Sequence, residues 1–260
     1  MSVRHRFFLG GADLEMAELR RLLQQHAPGR IEDKRLAWGA ALSAYRDALL
    51  AALANGETPV AIELQDDLPP DLFDRKRMIV VDHHGERAGA NQPTAIEQVF
   101  RLLRLPPEAW SRWLSLVAAN DRAHIAGLRA AGASPDEIAR VRAADRRAQG
   151  VTSGDEAEAR RAIATARREG RLTIIETGGS TSSAIVDFMS PDLGGPGYGR
   201  LLVAMPNEVA MFADGPAIRE LSDRYPGSWW GGDLPVSGFW GMPLGPGRQQ
   251  ELNRLAEAFR

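Results

Sequence analysis

The stretch Met78-Ile79-Val80-Val81-Asp82-His83-His84-Gly85-Glu86 is an apolar, β-branched run that ends abruptly in an acid and two imidazoles. Such a run is typical of a buried strand in a parallel sheet. In open α/β sheets, ligands bind at the carboxyl ends of the strands, so the polar residues after Val81 lie where a site is expected. The simpler interpretation is that Asp82 and His83 only cap the following loop. Two adjacent histidines after an aspartate favour a site, since imidazole is a common metal ligand.

The composition limits the kinds of site and partner. The chain has 260 residues, enough for one large domain or two modest ones. It has no Cys, so disulfides and thiolate metal sites are excluded, and metal ligands must be His, Asp or Glu. The net charge of -2 provides no general attraction to nucleic acid or to anionic membranes. With no apolar run near the ~18 residues of a membrane span, we expect a cytoplasmic protein without a membrane partner.

Two carboxylates lie at the first predicted strand-to-helix turn. Residues 3–9 favour a strand, and Gly10-Gly11-Ala12 separates it from a helical pattern that opens with Asp13-Leu14-Glu15. Asp13 has the position of an N-cap and Glu15 that of a first-turn acid, which are the commoner roles for acids here. Alternatively, the two carboxylates each face a different metal ion.

A second predicted strand, residues 58–64, carries Glu63 near its end and is followed by Asp66 and Asp67. The two aspartates are either part of a site or solvated acids that cap the turn at residues 68–73. The sequence alone leaves this choice open.

Taken in order along the chain, these motifs resemble the DHH phosphoesterase superfamily. The matching positions are the Asp82-His83-His84 triplet, the Asp13-Leu14-Glu15 turn, an acid at the end of the preceding strand, and Asp121 in a later helical pattern. The resemblance implies an α/β fold, with a parallel-sheet DHH-type domain, flanking helices and a smaller α/β C-terminal domain. It also implies a two-metal site that cleaves phosphate esters or anhydrides.

The resemblance assigns metal ligands to this chain. The bridging acid falls on Glu63, with Asp66 as the alternative. One ion takes Asp13 and Glu63, and the other takes Glu15, Glu63, His83 and Asp121. Oxygen and imidazole ligands suit Mn²⁺ or Mg²⁺.

The chain departs from the family pattern at Leu9, where the family has a His, and at Glu15, where it has a second Asp. One ion therefore loses a nitrogen ligand. Either that ion is bound more weakly, or another residue replaces the ligand, or only one ion is held firmly. His124 is the candidate replacement, because three residues after Asp121 it would lie on the same helical face.

The resemblance also assigns residues around the reacting phosphate. Asp82 is expected to orient the triplet, and His84 to contact the scissile phosphate. Arg87 or Arg122 is expected to bind a further phosphate, on the ground of nearness in sequence.

The last third of the chain differs from the rest in its sequence pattern, and residues 150–154, Gly-Val-Thr-Ser-Gly, have the composition of a hinge. We therefore predict a DHH-type catalytic domain over residues 1–150 and a smaller, DHHA1-like substrate or lid domain over residues 151–260. The segment 229–241 combines glycines with aromatics and resembles a degenerate substrate loop. Its candidate substrate contacts are Gly231, Gly232 and Ser237. The alternative is a glycine-rich turn that closes on a Trp cluster.

These features predict a metal-dependent phosphoesterase or phosphodiesterase for short oligonucleotides or small nucleotide phosphates. The near-neutral charge argues against long duplex nucleic acid, whose binding rests on many phosphate contacts. The competing prediction is a non-catalytic nucleotide-binding sensor with a degenerate metal site. A homodimer is a further expectation, since the Trp clusters are either core or interface.

Overall fold

The computed structural model describes residues 4–37, 39–83, 92–232, 234 and 236–260. By its internal contacts the chain divides into two compact units, Met1–Gly132 and Ala133–Arg260. Among the described residues, no helix is both long and apolar enough to cross a membrane.

The first unit is built on a parallel sheet. Its strands are β1 (His5–Phe8), β2 (Ile31–Glu32), β3 (Thr58–Ile62) and β4 (Ile79–Val81), hydrogen-bonded in the order β2-β1-β3-β4. Every pairing is parallel, with Ala61 opposite Val80 between β3 and β4. The predicted parallel sheet is therefore confirmed. The helices of this unit are α1 (Leu14–His26), α2 (Arg46–Ala54), α3 (Ala95–Leu102) and α4 (Arg112–Ala130).

A hydrophobic core joins β1 and β3 to α2. Phe8 and Ala61 pack there against Tyr45 and Leu49, all of them buried. The helix α2 begins only at Arg46, after a 3-10 turn at Leu42–Tyr45. Before that turn Ala41 is extended, and Leu42 donates its N–H to the Gln65 carbonyl while Gln65 donates back to Ala40. The chain is thereby tied to the end of β3 before the helix begins.

The second unit contains a mixed sheet between helices. For the part of the chain that is described, the strand order is β5-β6-β7-β8-β10-β9, and only β6 and β7 pair in parallel. The strands are β5 (Arg167–Glu169), β6 (Leu172–Glu176), β7 (Arg200–Ala204), β8 (Glu208–Asp214), β9 (Trp229–Gly231) and β10 (Ser237–Pro243). The helices are α5 (Pro135–Ala148), α6 (Ser153–Ala164), α7 (Ser183–Met189), α8 (Gly215–Arg224) and α9 (Arg248–Phe259).

The two faces of this second sheet pack against different helices. Alternate residues such as Leu202 and Met211 pack with α8 and α9, whereas Leu201 and Val203 pack with α6 and α7. This alternation is what a strand with both faces covered requires. The strands β7 and β8 pair antiparallel as a hairpin across Pro206-Asn207.

The division of the chain lies before α5 rather than after it. Arg142 and Arg146 of α5 both pair with Asp187 of α7, and the Asp187 side chain is fully buried. This ion network ties α5 to the second unit, so the boundary follows Gly132 and not residue 150. The catalytic and lid roles of the two regions stay predictions.

Candidate metal centre

Two ligand candidates follow the neighbouring strands β3 and β4. Glu63 comes directly after β3, and His83 comes two residues after β4. The pairing of Ile62 with Val81 brings these two strand ends side by side. Glu63 has a φ of 49°, a left-handed conformation that is uncommon for a residue with a side chain and is a mark of functional sites.

A close approach of β1 to β3 shapes the same edge of the sheet. A Cβ on Gly10 would lie 2.6 Å from the Glu63 carbonyl oxygen and 2.8 Å from that of Ile62. Only glycine permits this spacing. The glycine after β1 therefore serves to bring the start of α1 close to the end of β3.

Helices supply the other two candidates. Asp13 caps α1 by accepting the N–H of Met16, which leaves Glu15 inside the first turn and almost fully buried. Oε1 of Glu15 accepts the N–H of Ile96, at the start of α3, at 2.9 Å. Asp121 comes from α4, and α1 packs against both α3 and α4. Helix packing therefore carries these acids to the strand ends.

The four side chains converge. Glu15, Glu63, His83 and Asp121 each offer one ligand atom, and these atoms all lie within 4.8 Å of one another. Nε2 of His83 is 2.6 Å from Oδ2 of Asp121 and 3.1 Å from Oε1 of Glu63. Oε2 of Glu15 is buried and accepts no hydrogen bond from the described residues. A buried carboxylate oxygen without a donor, facing two further carboxylates, is what a cation site provides.

The electrostatics of the cluster also fit a cation. Burial raises the pKa of Glu15 well above its ordinary value, and the charges of Asp121 and Glu63 raise it further, against the opposing hydrogen bond from Ile96. Burial alone would lower the pKa of His83, but its close contacts with Asp121 and Glu63 raise it to about 10. Without a metal, the cluster therefore retains protons that a divalent ion would displace.

The donor set matches a divalent metal ion. Three carboxylates and one imidazole are ligands for Mn²⁺, Mg²⁺ and similar ions. Together the carboxylates would carry three negative charges, which are costly in a buried place unless a cation balances them. The residues present therefore fit a bound metal.

Further contacts, which the sequence did not single out, hold the site in place. The side-chain amide of Gln98, on α3, donates to the backbone carbonyls of Asp82 at 3.0 Å and Pro93 at 2.9 Å. Gln98 thereby ties the residue before His83 to the start of α3. Glu97 of the same helix pairs with Arg122 at 2.6 Å, beside Asp121. Spacing offered no signal for Gln98, because its two partners are backbone atoms.

Three of the predicted metal ligands lie outside the four-residue cluster. Asp13 is the N-cap of α1. Asp66 pairs with Arg75 at 2.7 Å, and its side chain is 41% exposed. The predicted helical spacing from Asp121 to His124 is wrong, because the backbone is not helical at Ala123 and His124, where φ of His124 is 52°. Metal roles for Asp13, Asp66 and His124 stay predictions.

Two of the residues predicted to contact phosphate, His84 and Arg87, lie outside the described residues. In the second unit, a Cβ on Gly231 would lie 2.8 Å from the Phe239 ring, and one on Gly232 would lie 2.6 Å from the Cα of Gly238. These glycines therefore let β9 and β10 pack closely, which accounts for them without a ligand. Substrate contact by Gly231, Gly232 and Ser237 stays a prediction.

No family model and no curated protein matches the chain. Among solved structures, a DHH domain described as belonging to a family of ribosomal proteins matches with a TM-score of 0.59 and 13% identity, over 98% of this chain and 86% of that one. RecJ from Thermus thermophilus, in complex with Mn²⁺, matches with a TM-score of 0.53 and 14% identity, over 98% of this chain. The chain spans about half of RecJ, 52% of its length. At such identities the likeness concerns the fold alone.

The order of the motifs along the chain, the parallel sheet of the first unit and these structural neighbours all indicate the same fold. The protein therefore has a DHH phosphoesterase-like fold.

Proposed function

We propose that the protein is a metal-dependent phosphoesterase that hydrolyses short oligonucleotides or small nucleotide phosphates. The observation that carries the proposal is the convergence of three carboxylates and one imidazole at the carboxyl ends of parallel strands. That edge is where open α/β sheets bind their ligands. The fold supports the proposal further, since it is the fold that the sequence motifs predict.

Mn²⁺ or Mg²⁺ is the proposed cofactor, held by Glu15, Glu63, His83 and Asp121. The RecJ neighbour is a complex with Mn²⁺, which supports the choice of ion. When bound, a divalent ion polarises a phosphoryl oxygen and lowers the pKa of its water towards neutrality. The second ion of a two-metal site stays a prediction from the resemblance.

The residues of the chain provide position and charge. Glu15 is fixed by the Ile96 N–H, and the Asp82 carbonyl before His83 is held by Gln98. Such support keeps ligands within the narrow geometry that metal sites require. Because three carboxylates outweigh the charge of one divalent ion, a substrate phosphate needs cations from elsewhere. Arg122, beside Asp121 and partly exposed, is the described candidate, and Arg87 is the other predicted one.

The proposed substrates are short because the chain offers no general attraction to polyanions. Its 32 basic and 34 acidic residues give a net charge of -2. Long duplexes are bound through many phosphate contacts to Lys and Arg. One or a few phosphates at a local site need no such surface.

A nucleotide-binding sensor without turnover is the second candidate function. The observation that favours it is Leu9, which is fully buried where the resemblance expects a His ligand. The four clustered donors favour the enzyme, because a site that has lost its catalytic use has no need for a buried carboxylate oxygen such as Oε2 of Glu15.

The test is hydrolysis of a panel of dinucleotides, cyclic dinucleotides, nucleoside bisphosphates and polyphosphate, with Mn²⁺ and with a chelator. We expect turnover that needs Mn²⁺ and disappears in His83→Ala. His26→Ala, which removes an exposed histidine at the end of α1, is the matched control and should retain activity. Nucleotide binding without hydrolysis of any compound would favour the sensor. Chelator-resistant turnover would rule out the metal mechanism.

A cytoplasmic location, a homodimer and a lid role for the second unit stay predictions.

A further inference from the structure

The four donor atoms have the spread of one coordination sphere. All of them lie within 4.8 Å of one another. Opposite ligands of one Mg²⁺ ion, bound at ~2.0–2.1 Å, are about 4 Å apart, and those of a larger divalent ion are about 5 Å apart. Ligands on the far sides of two ions separated by ~3.5–4 Å would be about 8 Å apart. The spread of the cluster therefore matches a single ion.

The residue that follows β1 is apolar and fully buried. Leu9 continues the pairing of β1 with β2 by donating its N–H to the Glu32 carbonyl. Phe8 belongs to the core shared with α2, so strand alternation turns Leu9 to the other face of the sheet. The hydroxyl of Tyr45 donates to the Leu9 carbonyl at 2.8 Å and fixes its backbone. A hydrocarbon side chain thus occupies the position at which the resemblance implies a histidine ligand for a second ion.

Two nearby carboxylates are engaged in local structure. Asp13 accepts the Met16 N–H at 2.8 Å as the cap of α1. Asp66 forms a two-point contact with Arg75, at 2.7 and 3.0 Å. Neither belongs to the group of converging donors. Among the described residues, one group of three or more His, Asp or Glu donors converges, and it is a set for one ion.

We propose that the metal centre is mononuclear, with one divalent ion on Glu15, Glu63, His83 and Asp121, and with Leu9 in place of the ligand that a second ion would need. This inference rests on the metal-dependent function proposed above and departs from the two-metal site that the resemblance implies. An ion with six ligands would keep two positions for water and a substrate oxygen. Charge that a second ion would neutralise must then be met by arginine side chains.

The test is the number of Mn²⁺ ions bound by the full chain after treatment with a chelator, measured by calorimetry and metal analysis, with the electron paramagnetic resonance spectrum of the loaded protein. We expect one ion per chain and the spectrum of an isolated Mn²⁺. Two ions with a spin-coupled spectrum would overturn the mononuclear centre and leave the phosphoesterase proposal standing. One bound ion without hydrolysis of any compound would support the mononuclear centre and contradict the phosphoesterase proposal. The absence of bound Mn²⁺ would contradict both proposals.

A gain-of-ligand variant tests the part assigned to Leu9. Leu9→His should bind a second Mn²⁺ and show the coupled spectrum. Leu23→His, which is equally buried but lies later on α1, is the control and should remain at one ion. A folded Leu9→His that still binds one ion would contradict the placement of Leu9 at the second position. If that variant does not fold, the count for the unaltered chain still decides whether the centre is mononuclear.

Discussion

Glu15→Gln should change the stability of the protein in opposite directions with and without metal. Its carboxylate lies within 4.8 Å of donor atoms on Glu63 and Asp121. At an effective dielectric constant of about 20, two like charges at that distance repel by about 3 kcal/mol. Protonation of Glu15 and the positive charge on His83 offset much of this repulsion. We expect the amide to stabilise the metal-free protein by about 1–3 kcal/mol at about pH 8.

The same substitution should remove most of the stabilisation by metal. Mn²⁺ at a hundred times its Kd stabilises the folded state by about 2.7 kcal/mol, which raises the Tm of a chain of this size by roughly 5–10 °C. A neutral amide is a poorer ligand for a hard cation than a carboxylate. The hydrogen bond from Ile96 survives, because the amide oxygen also accepts. The variant should therefore melt higher without metal and gain little from it.

Thermal melts with chelator and with a series of Mn²⁺ concentrations measure both effects. Glu18→Gln is the matched control, since Glu18 is a second buried carboxylate on α1 that pairs with Arg21 at 2.9 Å. It should give no gain without metal and should keep the full metal response. A lower metal-free Tm for Glu15→Gln, together with an unchanged Mn²⁺ shift in Tm, would contradict both expectations. Glu15 would then be only a hydrogen-bond acceptor for α3.

Three other predictions concern pH, the support of His83 and the second unit. Because the pKa of His83 is raised from 6.5 to about 10, the stabilisation that its protonated form gives the metal-free protein is complete below about pH 6.5 and is lost as pH rises through about 10. The raised pKa of Glu15 acts in the same direction, and Mn²⁺ displaces the protons of both groups. From pH 6 to 9, the Tm measured with chelator should therefore fall, and the increase in Tm on adding Mn²⁺ should grow. An increase in Tm that does not change with pH would contradict this. Gln98→Leu should weaken Mn²⁺ binding by about 10–100-fold in calorimetry, as loss of supporting contacts does elsewhere, and an unchanged affinity with a lowered Tm would make Gln98 merely structural. Asp187→Asn should cost about 1–3 kcal/mol in urea unfolding, because Arg142 and Arg146 lose the buried carboxylate that they share and keep Asp145 and Glu156. It should not alter Mn²⁺ binding, and an unchanged free energy of unfolding would show that the shared carboxylate is not needed for stability.

Part of the candidate metal centre could be predicted from the sequence, and part could not. The position of His83 could be predicted, because it follows an apolar, β-branched run. Glu63 comes only from the resemblance, with Asp66 as the alternative. The sequence could not make that choice, since it depends on the left-handed backbone at Glu63 and on Arg75, which binds Asp66. The expectation for His124 failed because a helical spacing holds only while the backbone is helical, and α4 is interrupted there.

The sequence by itself determined the parallel sheet of the first unit, the strand ends at which polar residues gather and the absence of thiolate ligands. These follow from local periodicity and composition, which each segment carries alone. The resemblance assigns Glu15, Glu63, His83 and Asp121 to one ion, but only the tertiary structure brings their ligand atoms within 4.8 Å of one another. That convergence depends on the packing of α1 against α3 and α4, where the Ile96 N–H fixes Glu15 and the α1 turn engages Asp13. Distances between residues far apart in sequence are set by packing, and no local pattern encodes them.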